Sequence, residues 1–146
     1  MDIRFINCNS PDFEKVLSIR NTVFEKEQGA IAAEELDSYD SLLSTEYALI
    51  YDGDLAVATG RIAHTEQGVK IGRIAVLRSC RGTGVGKMLV NALCTRAEEG
   101  GADKILVDSQ LHAVGFYQSL GFKKLTDKTI IDRGIVHLPM IRGNNE

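Results

Sequence analysis

The turn Arg81-Gly82-Thr83-Gly84-Val85-Gly86-Lys87 constrains this chain more than any other stretch. It follows the apolar run Ile74-Ala75-Val76-Leu77 and precedes apolar residues at helical spacing, Val85, Leu89, Ala92 and Leu93, so residues 71–100 read as strand, glycine-rich turn and helix. The turn is therefore a helix N-terminus. Unpaired N–H groups and a partial positive charge suit phosphate oxygens there, and glycines let the backbone approach them with no Cβ in the way.

Spacing separates three kinds of phosphate turn. A P-loop has four residues between its first glycine and the Gly-Lys pair, then Ser or Thr for magnesium; here three residues separate Gly82 from Gly86, and Met88 follows the lysine. The dinucleotide fingerprint needs glycine where Lys87 stands and belongs near the start of a βαβ unit, whereas this turn comes late in the chain. The pattern that fits in full is Arg/Gln-x-x-Gly-x-Gly/Ala, as Arg81 to Gly86, which resembles the coenzyme A pyrophosphate loop of the GNAT superfamily of N-acetyltransferases. Ile74-Ala75-Val76 is similar to that superfamily's Leu-x-Val strand, and Gly115-Phe116-Tyr117-Gln118-Ser119-Leu120-Gly121-Phe122 to its Phe-Tyr-x-x-x-Gly-Phe signature. Arg20-x-x-Val23-Phe24-x-x-Glu27-Gln28 and Asp132-x-Gly134-Ile135-x-His137-Leu138 further resemble a small bacterial, ElaA-like branch.

At 146 residues the chain is expected to form one domain, 1–146, and with 44% apolar and 25% charged residues it reads as a soluble globular protein. A net charge of −3 without a basic run or aromatic stripe argues against a nucleic-acid partner. No apolar stretch approaches the ~20 residues of a membrane span, and the charged start lacks a signal-peptide core, so no membrane partner and a cytoplasmic location are expected. Cys8, Cys80 and Cys94 have neither paired nor metal-ligand spacing, so no disulfide or metal is expected.

In chain order, residues 3–7 read as a short strand. Ser10 is a candidate N-cap and Pro11 a candidate first helical residue for a helix running to about Gln28, with Arg20 and Glu27 two turns apart on its apolar side. Residues 30–44 carry Glu34, Glu35, Asp37 and Asp40, either as a solvated face or as the wall of an acceptor site that would favour a cationic amine. Residues 47–51, the turn Asp52-Gly53 and residues 55–63 read as a hairpin, and residues 69–77 extend it to an antiparallel meander. After the central helix and its Gly100-Gly101 stop come a buried strand, 104–109, a short helix from about His112 to Leu120, and two strands, 122–125 and 134–141. Residues 143–146 are expected to fray. The resemblance implies a GNAT-like α/β fold: a central mixed, mostly antiparallel sheet of about seven strands flanked by about four helices.

Acetyl transfer from a thioester to an amine needs a held donor, a polarised carbonyl, a neutral amine and a proton for the leaving thiolate. Backbone N–H groups from Gly82 through Thr83, Gly84, Val85 and Gly86 to Lys87, assisted by the Arg81 and Lys87 side chains, are the candidates for holding acetyl-CoA. Two or three charge-assisted bonds at ~1.5–3 kcal/mol each supply much of the ~8 kcal/mol that micromolar affinity needs. By the resemblance, the Ile74 N–H polarises the carbonyl and the strand Ile74-Ala75-Val76 contacts the pantetheine arm; Gln110, at the end of the strand before the short helix, is the candidate hydrogen-bond partner of the pantetheine amides, Phe116 is a further candidate cofactor contact, and Tyr117 is the candidate to protonate the thiolate. A phenol of pKa ≈ 10 stays protonated at neutral pH and can serve a thiolate whose acid has pKa ≈ 8.5. The base that frees the amine is the open role: some family members place a glutamate where this chain has Gly72, leaving Glu27, Asp37, Asp40 and His112 as candidates. His137 reads either as a structural residue or as part of the site. The expected partner is a small-molecule or peptide amine; dimers are frequent in the resembled family, although no exposed apolar stripe argues for one here. The contrasting reading is a non-enzymatic acyl-CoA sensor acting through a protein partner.

Overall fold

The computed structural model describes residues 1–143, the side chains of Ala32 and Ala33 excepted. Strand β1 (Asp2–Ile6) lies antiparallel to β2 (Glu46–Asp52), which turns through Gly53, at φ +62°, into β3 (Leu55–Thr65); β3 turns in its own right into β4 (Gly68–Val76). Glycine at the Asp52-Gly53 corner supplies the left-handed backbone that a tight hairpin requires. β2 shows why the sheet is covered on both faces. Ala48 and Ile50 point into one apolar cluster while Tyr47, Leu49 and Tyr51 point into another, the alternation that a pleated strand imposes.

The second cluster is closed by α1 (Phe13–Arg20) and its continuation as a wider, π-helical coil over Asn21–Glu27, through Val16, Ile19, Val23 and Phe24. That helix starts later than the sequence suggests. Ser10 accepts the Asp12 N–H on its hydroxyl at 3.2 Å and the Phe13 N–H on its carbonyl at 3.0 Å, so Pro11 sits in a turn before the helix rather than in its first position. A four-residue helix, α2 (Ala32–Glu35), follows, and a 3-10 turn at Ser38–Ser41 leads into β2.

The first cluster is closed by α3 (Val85–Glu99), which buries Val85, Leu89, Val90, Leu93, Cys94 and Ala97, positions three and four apart. The Ala102 N–H returns to the Ala97 carbonyl at 3.0 Å, with Gly101 at φ +102°, and this glycine stop aims the chain into β5 (Lys104–Gln110). A 3-10 turn at Leu111–Ala113, α4 (Val114–Ser119) and β6 (Lys123–Lys124) follow, then β7 (Ile130–Asp132) and β8 (Ile135–Gly143). Gly143 ends β8, and the remainder of the end expected to fray lies outside the described residues. The sheet order is β1-β2-β3-β4-β5-β8-β6, with β7 also on β8. Eight strands stand where about seven were expected; β7 is one that the sequence reading did not separate.

All pairings are antiparallel except β4 with β5. That parallel pair holds together only at Lys70 with Leu106 and Ile71 with Val107. Beyond it β4 carries a bulge: Thr59 pairs with Ala75 and Arg61 with Gly72, so Arg73 and Ile74 face Gly60 alone. Arg73 takes φ +49°, and the extra residue puts Ile74 and Val76 on the same α3-facing side as Ile71. Any side chain at Gly60 would force its neighbours to shift. A Cβ there would lie 2.7 Å from Leu93 Cδ1 and 2.8 Å from Ile74 Cδ1.

Gly60→Val should lower unfolding stability by ~1–3 kcal/mol through overpacking against Leu93 and Ile74. Urea denaturation measures this; an unchanged midpoint would show that the bulge accommodates a side chain.

Candidate active site

Where β4 leaves β5, a cleft of about 360 Å³ opens between their C-terminal halves. Its walls bring together Ile74, Val76, Arg81, Gly86, Gln110, Phe116 and Tyr117. Leu77 donates its N–H back to Val57 of β3 at 2.9 Å, so the alternation of an extended strand turns the Val76 and Ile74 N–H groups toward the vacated edge. Ala75, by contrast, is 1% exposed and belongs to the opposite cluster, so only its backbone can take part.

The turn above this cleft has the expected conformation. Gly82 at φ +75° and Gly84 at φ +87° are left-handed, and a Cβ built on either meets nothing within 4 Å, so the turn presents bare backbone to open space. The first α3 bond outside the turn runs from the Met88 N–H to the Gly84 carbonyl at 3.0 Å, and the amides of Val85, Gly86 and Lys87 precede it. Thr83 caps the turn from within by donating its hydroxyl to the Cys80 carbonyl. The Val85 side chain is core, while Lys87 is exposed.

Arg81 and Glu27 stand differently from their expected roles. The Arg81 guanidinium donates through Nε to the Val76 carbonyl at 2.9 Å and through Nη2 to Glu27, which ties the π-helical coil to the phosphate turn. Glu27 is absent from the cleft wall, and its carboxylate is already matched by a permanent cation. Gln110 makes a parallel strap, donating Nε2 to Gln28 Oε1 at 2.8 Å. Tyr117 is 5% exposed and sits edge-on between Phe116 and Phe122, at centroid distances of 5.2 and 5.5 Å. Burial raises its pKa, so the phenol keeps its proton.

A second cavity of about 520 Å³ adjoins the first, and Gly72, Arg73, Asp108, Arg133 and His137 line both. Its wall includes Asp37 of the acidic segment; Glu34 of that segment is exposed, as a solvated face would have it, but Glu35, Asp37 and Asp40 are not a free anionic surface. Asp40 accepts both terminal nitrogens of Arg20, at 2.8 and 2.9 Å, the Tyr47 hydroxyl at 2.6 Å and Arg61 Nη1 at 3.1 Å. Glu35 pairs with Arg20, with Arg133 at 3.0 Å and with Arg73 at 3.2 Å, while Asp37 takes Arg61 in a two-pronged contact and Asp132 takes Arg73 and Arg133. Glu35, Asp37, Asp40 and Asp132 are thus each answered by a guanidinium. Arg20, 1% exposed, belongs to this network and not to the site, and the segment's expected preference for cations is cancelled at its source.

Arg73 and Arg133 are the residues that sequence reasoning missed. Arg133 is buried and Arg73 partly buried, and both have left-handed backbones, at φ +56° and +49°. Arg133-Gly134 is the two-residue corner between β7 and β8, a conformation usually given to Asn, Asp or Gly. Its guanidinium stacks 4.8 Å from the Phe24 ring centroid as well as binding Glu35, contacts that hold a backbone conformation the residue would not choose. The pKa of Arg73 is lowered to about 10, first by burial and then by Arg61 and Arg133.

With this geometry in view, the family model for the acetyltransferase (GNAT) domain matches residues 20–142. The chain belongs to the GNAT acetyltransferase family. YjcF of Bacillus subtilis (strain 168), described as an uncharacterized N-acetyltransferase, is 36% identical over 134 residues, covering 92% of this chain and 94% of its own. Escherichia coli ElaA superposes with TM-score 0.85 at 26% identity over 97% of this GNAT chain and 98% of its own. An aminoglycoside 6'-N-acetyltransferase solved with coenzyme A shares the fold, at TM-score 0.75 and 18% identity over 98% and 97% of the two chains.

The buried network makes two predictions. Arg20→Ala leaves Glu35 and Asp40 short of a partner and should cost ~3–5 kcal/mol in urea unfolding; a loss below 1 kcal/mol would mean that the remaining arginines suffice. Burial alone would raise the Asp40 carboxyl, but the Arg20 hydrogen bonds and charge, with Tyr47 and Arg61, hold it well below the ordinary carboxylate range. A depressed folded pKa stabilises above the unfolded value and is lost as pH falls toward the folded one. Stability should therefore decline below about pH 4, the ordinary aspartate range, and Asp40→Asn should flatten that decline; parallel acid-unfolding curves would contradict it.

Proposed function

We propose that this GNAT domain transfers an acetyl group from acetyl-CoA directly to an amine of a small molecule or peptide. One observation carries the reading: the glycine-rich turn, through Arg81 and Gly86, and the vacated edge of β4 line one cleft, with a protonated phenol in its wall. Backbone amides from Gly82 to Lys87 would hold the diphosphate. The outward N–H groups of Val76 and Ile74 would meet the pantetheine arm and the acetyl oxygen, the latter worth ~3–4 kcal/mol for one aimed donor.

Tyr117 would then supply the sulfur's proton as the carbon–sulfur bond breaks. Among the described residues its hydroxyl has no hydrogen-bond partner, so the proton is uncommitted. We assign Glu27 a positioning role: holding Arg81 against the end of β4, so that the turn and the strand keep one geometry. The coenzyme A bound by the aminoglycoside acetyltransferase of the same fold supports the donor class. No observation favours a sensor that lacks turnover.

Incubation with acetyl-CoA and a panel of polyamines, amino sugars, amino acids and peptides should release free thiol with at least one amine; silence across the panel would overturn the reading. Tyr117→Phe should lower turnover at least about tenfold, within the range for loss of a general acid, with acetyl-CoA affinity near wild type. An unchanged rate would remove the phenol from the reaction.

A further inference from the structure

Deprotonating the amine requires an acceptor lone pair at the junction of the two cavities, and the carboxylates there are committed. Asp132 takes Arg73 and Arg133, Asp108 takes Lys70 Nζ at 3.1 Å, and Glu35, Asp37 and Asp40 serve the arginine network. His137 differs. It lies on β8, paired with Gln110 of β5 on one side and Ile130 of β7 on the other, is 3% exposed, and lines both cavities.

Its Nδ1 lies 2.8 Å from the Ile135 carbonyl. A carbonyl only accepts, so Nδ1 carries the hydrogen, and in the neutral ring Nε2 keeps its lone pair. Among the described residues Nε2 makes no hydrogen bond, yet the fully buried side-chain polar atom without a partner there is Thr45 Oγ1 and not Nε2. Nε2 therefore retains access to the cavities. We infer that His137 is the general base for the acceptor amine, and that the acceptors are amines of modest basicity, such as α-amino groups. The inference rests on the acetyl-transfer reading above.

Burial holds the imidazole's pKa below its ordinary value, Arg133 pushes it the same way, and the Ile135 carbonyl, Asp132 and Asp108 oppose them. Arg73 from β4 lines the same junction, and His112 lines the coenzyme-side cleft. His137 is thus neutral and competent at pH 7. Such a base accepts a proton from an α-ammonium of pKa ≈ 8 more readily than from a lysine-like ammonium of ≈ 10.4, by about two units of pKa. The ammonium proton passes to Nε2 and on to solvent; nitrogen attacks the acetyl carbon as carbon–sulfur cleavage proceeds, and the second proton lost from nitrogen balances the one that sulfur gains.

The test compares wild type with His137→Asn, which keeps a donor for Ile135 and removes Nε2, and with His64→Asn, exposed on β3 outside both cavities, as the control expected to match wild type. With glycinamide, spermidine and glucosamine as probes, kcat/KM of wild type should stay level down to about pH 6.5 and favour glycinamide, within the ordinary range of a histidine base. His137→Asn should lose about 10²-fold at pH 6.5 and recover toward wild type at pH 9.5, where the amine arrives unprotonated. An equal loss at both pH values, or none, would overturn the assignment, as would preference for spermidine. Independently of turnover, long-range ¹H–¹⁵N spectra should show His137 at pH 7 as the Nδ1–H tautomer with Nε2 bare; a protonated Nε2 would overturn it. If no wild-type turnover occurs with any probe while the spectra show a bare Nε2, the transfer reading fails rather than the state of His137.

Discussion

One extra residue in β4 decides what this molecule can hold. Because Arg73 and Ile74 together face Gly60, β4 bends away from β5 after two paired positions, and backbone donors that would have closed a parallel ladder are left beside a cleft. The same bend directs the chain into the turn at Arg81–Lys87, so the open strand edge and the open helix start share one wall. Neither feature would bind a long, flexible thioester alone. Together they offer donors for its diphosphate at one end and for its acyl oxygen at the other.

The bulge needs an anchor, since a left-handed arginine in mid-strand is unfavourable by itself. The anchor is the buried network. Arg73 reaches Glu35, Asp37 and Asp132, and those groups in turn hold Arg20, Arg61 and Arg133, which fix α1, β3 and the β7–β8 corner relative to β4. Buried ion pairs seldom improve on well-packed apolar residues in free energy. Here they specify a backbone shape. They also consume the negative charge of the acidic segment, leaving the amine's proton to the histidine on β8.

The two ends of the fold differ in how legible they were. The phosphate turn could be read because its chemistry is local: glycines at alternate positions between an apolar strand and an amphipathic helix have few other uses. The Asp52-Gly53 hairpin and the α3 stop were legible for the same reason. The β7–β8 hairpin was not, because Arg133 stands before Gly134 where Asn, Asp or Gly is usual, and the tertiary contacts of Arg133 override its local preference. The bulge was equally hidden, since an apolar run such as Ile71 to Leu77 has the same composition with or without a register shift. Arg20 and Glu27, paired by helical spacing, proved to serve different partners, Asp40 and Arg81, because the helix widens into a π coil between them.

The central claim is that this bend and turn form a coenzyme A site. Calorimetric titration of the folded protein with coenzyme A tests it most directly: the account predicts saturable heat at one site per chain with a dissociation constant in the micromolar range, weakened when Gly84, at φ +87°, is replaced by valine. Absence of binding heat from protein shown to be folded, or equal heat from the Gly84→Val variant, would contradict it.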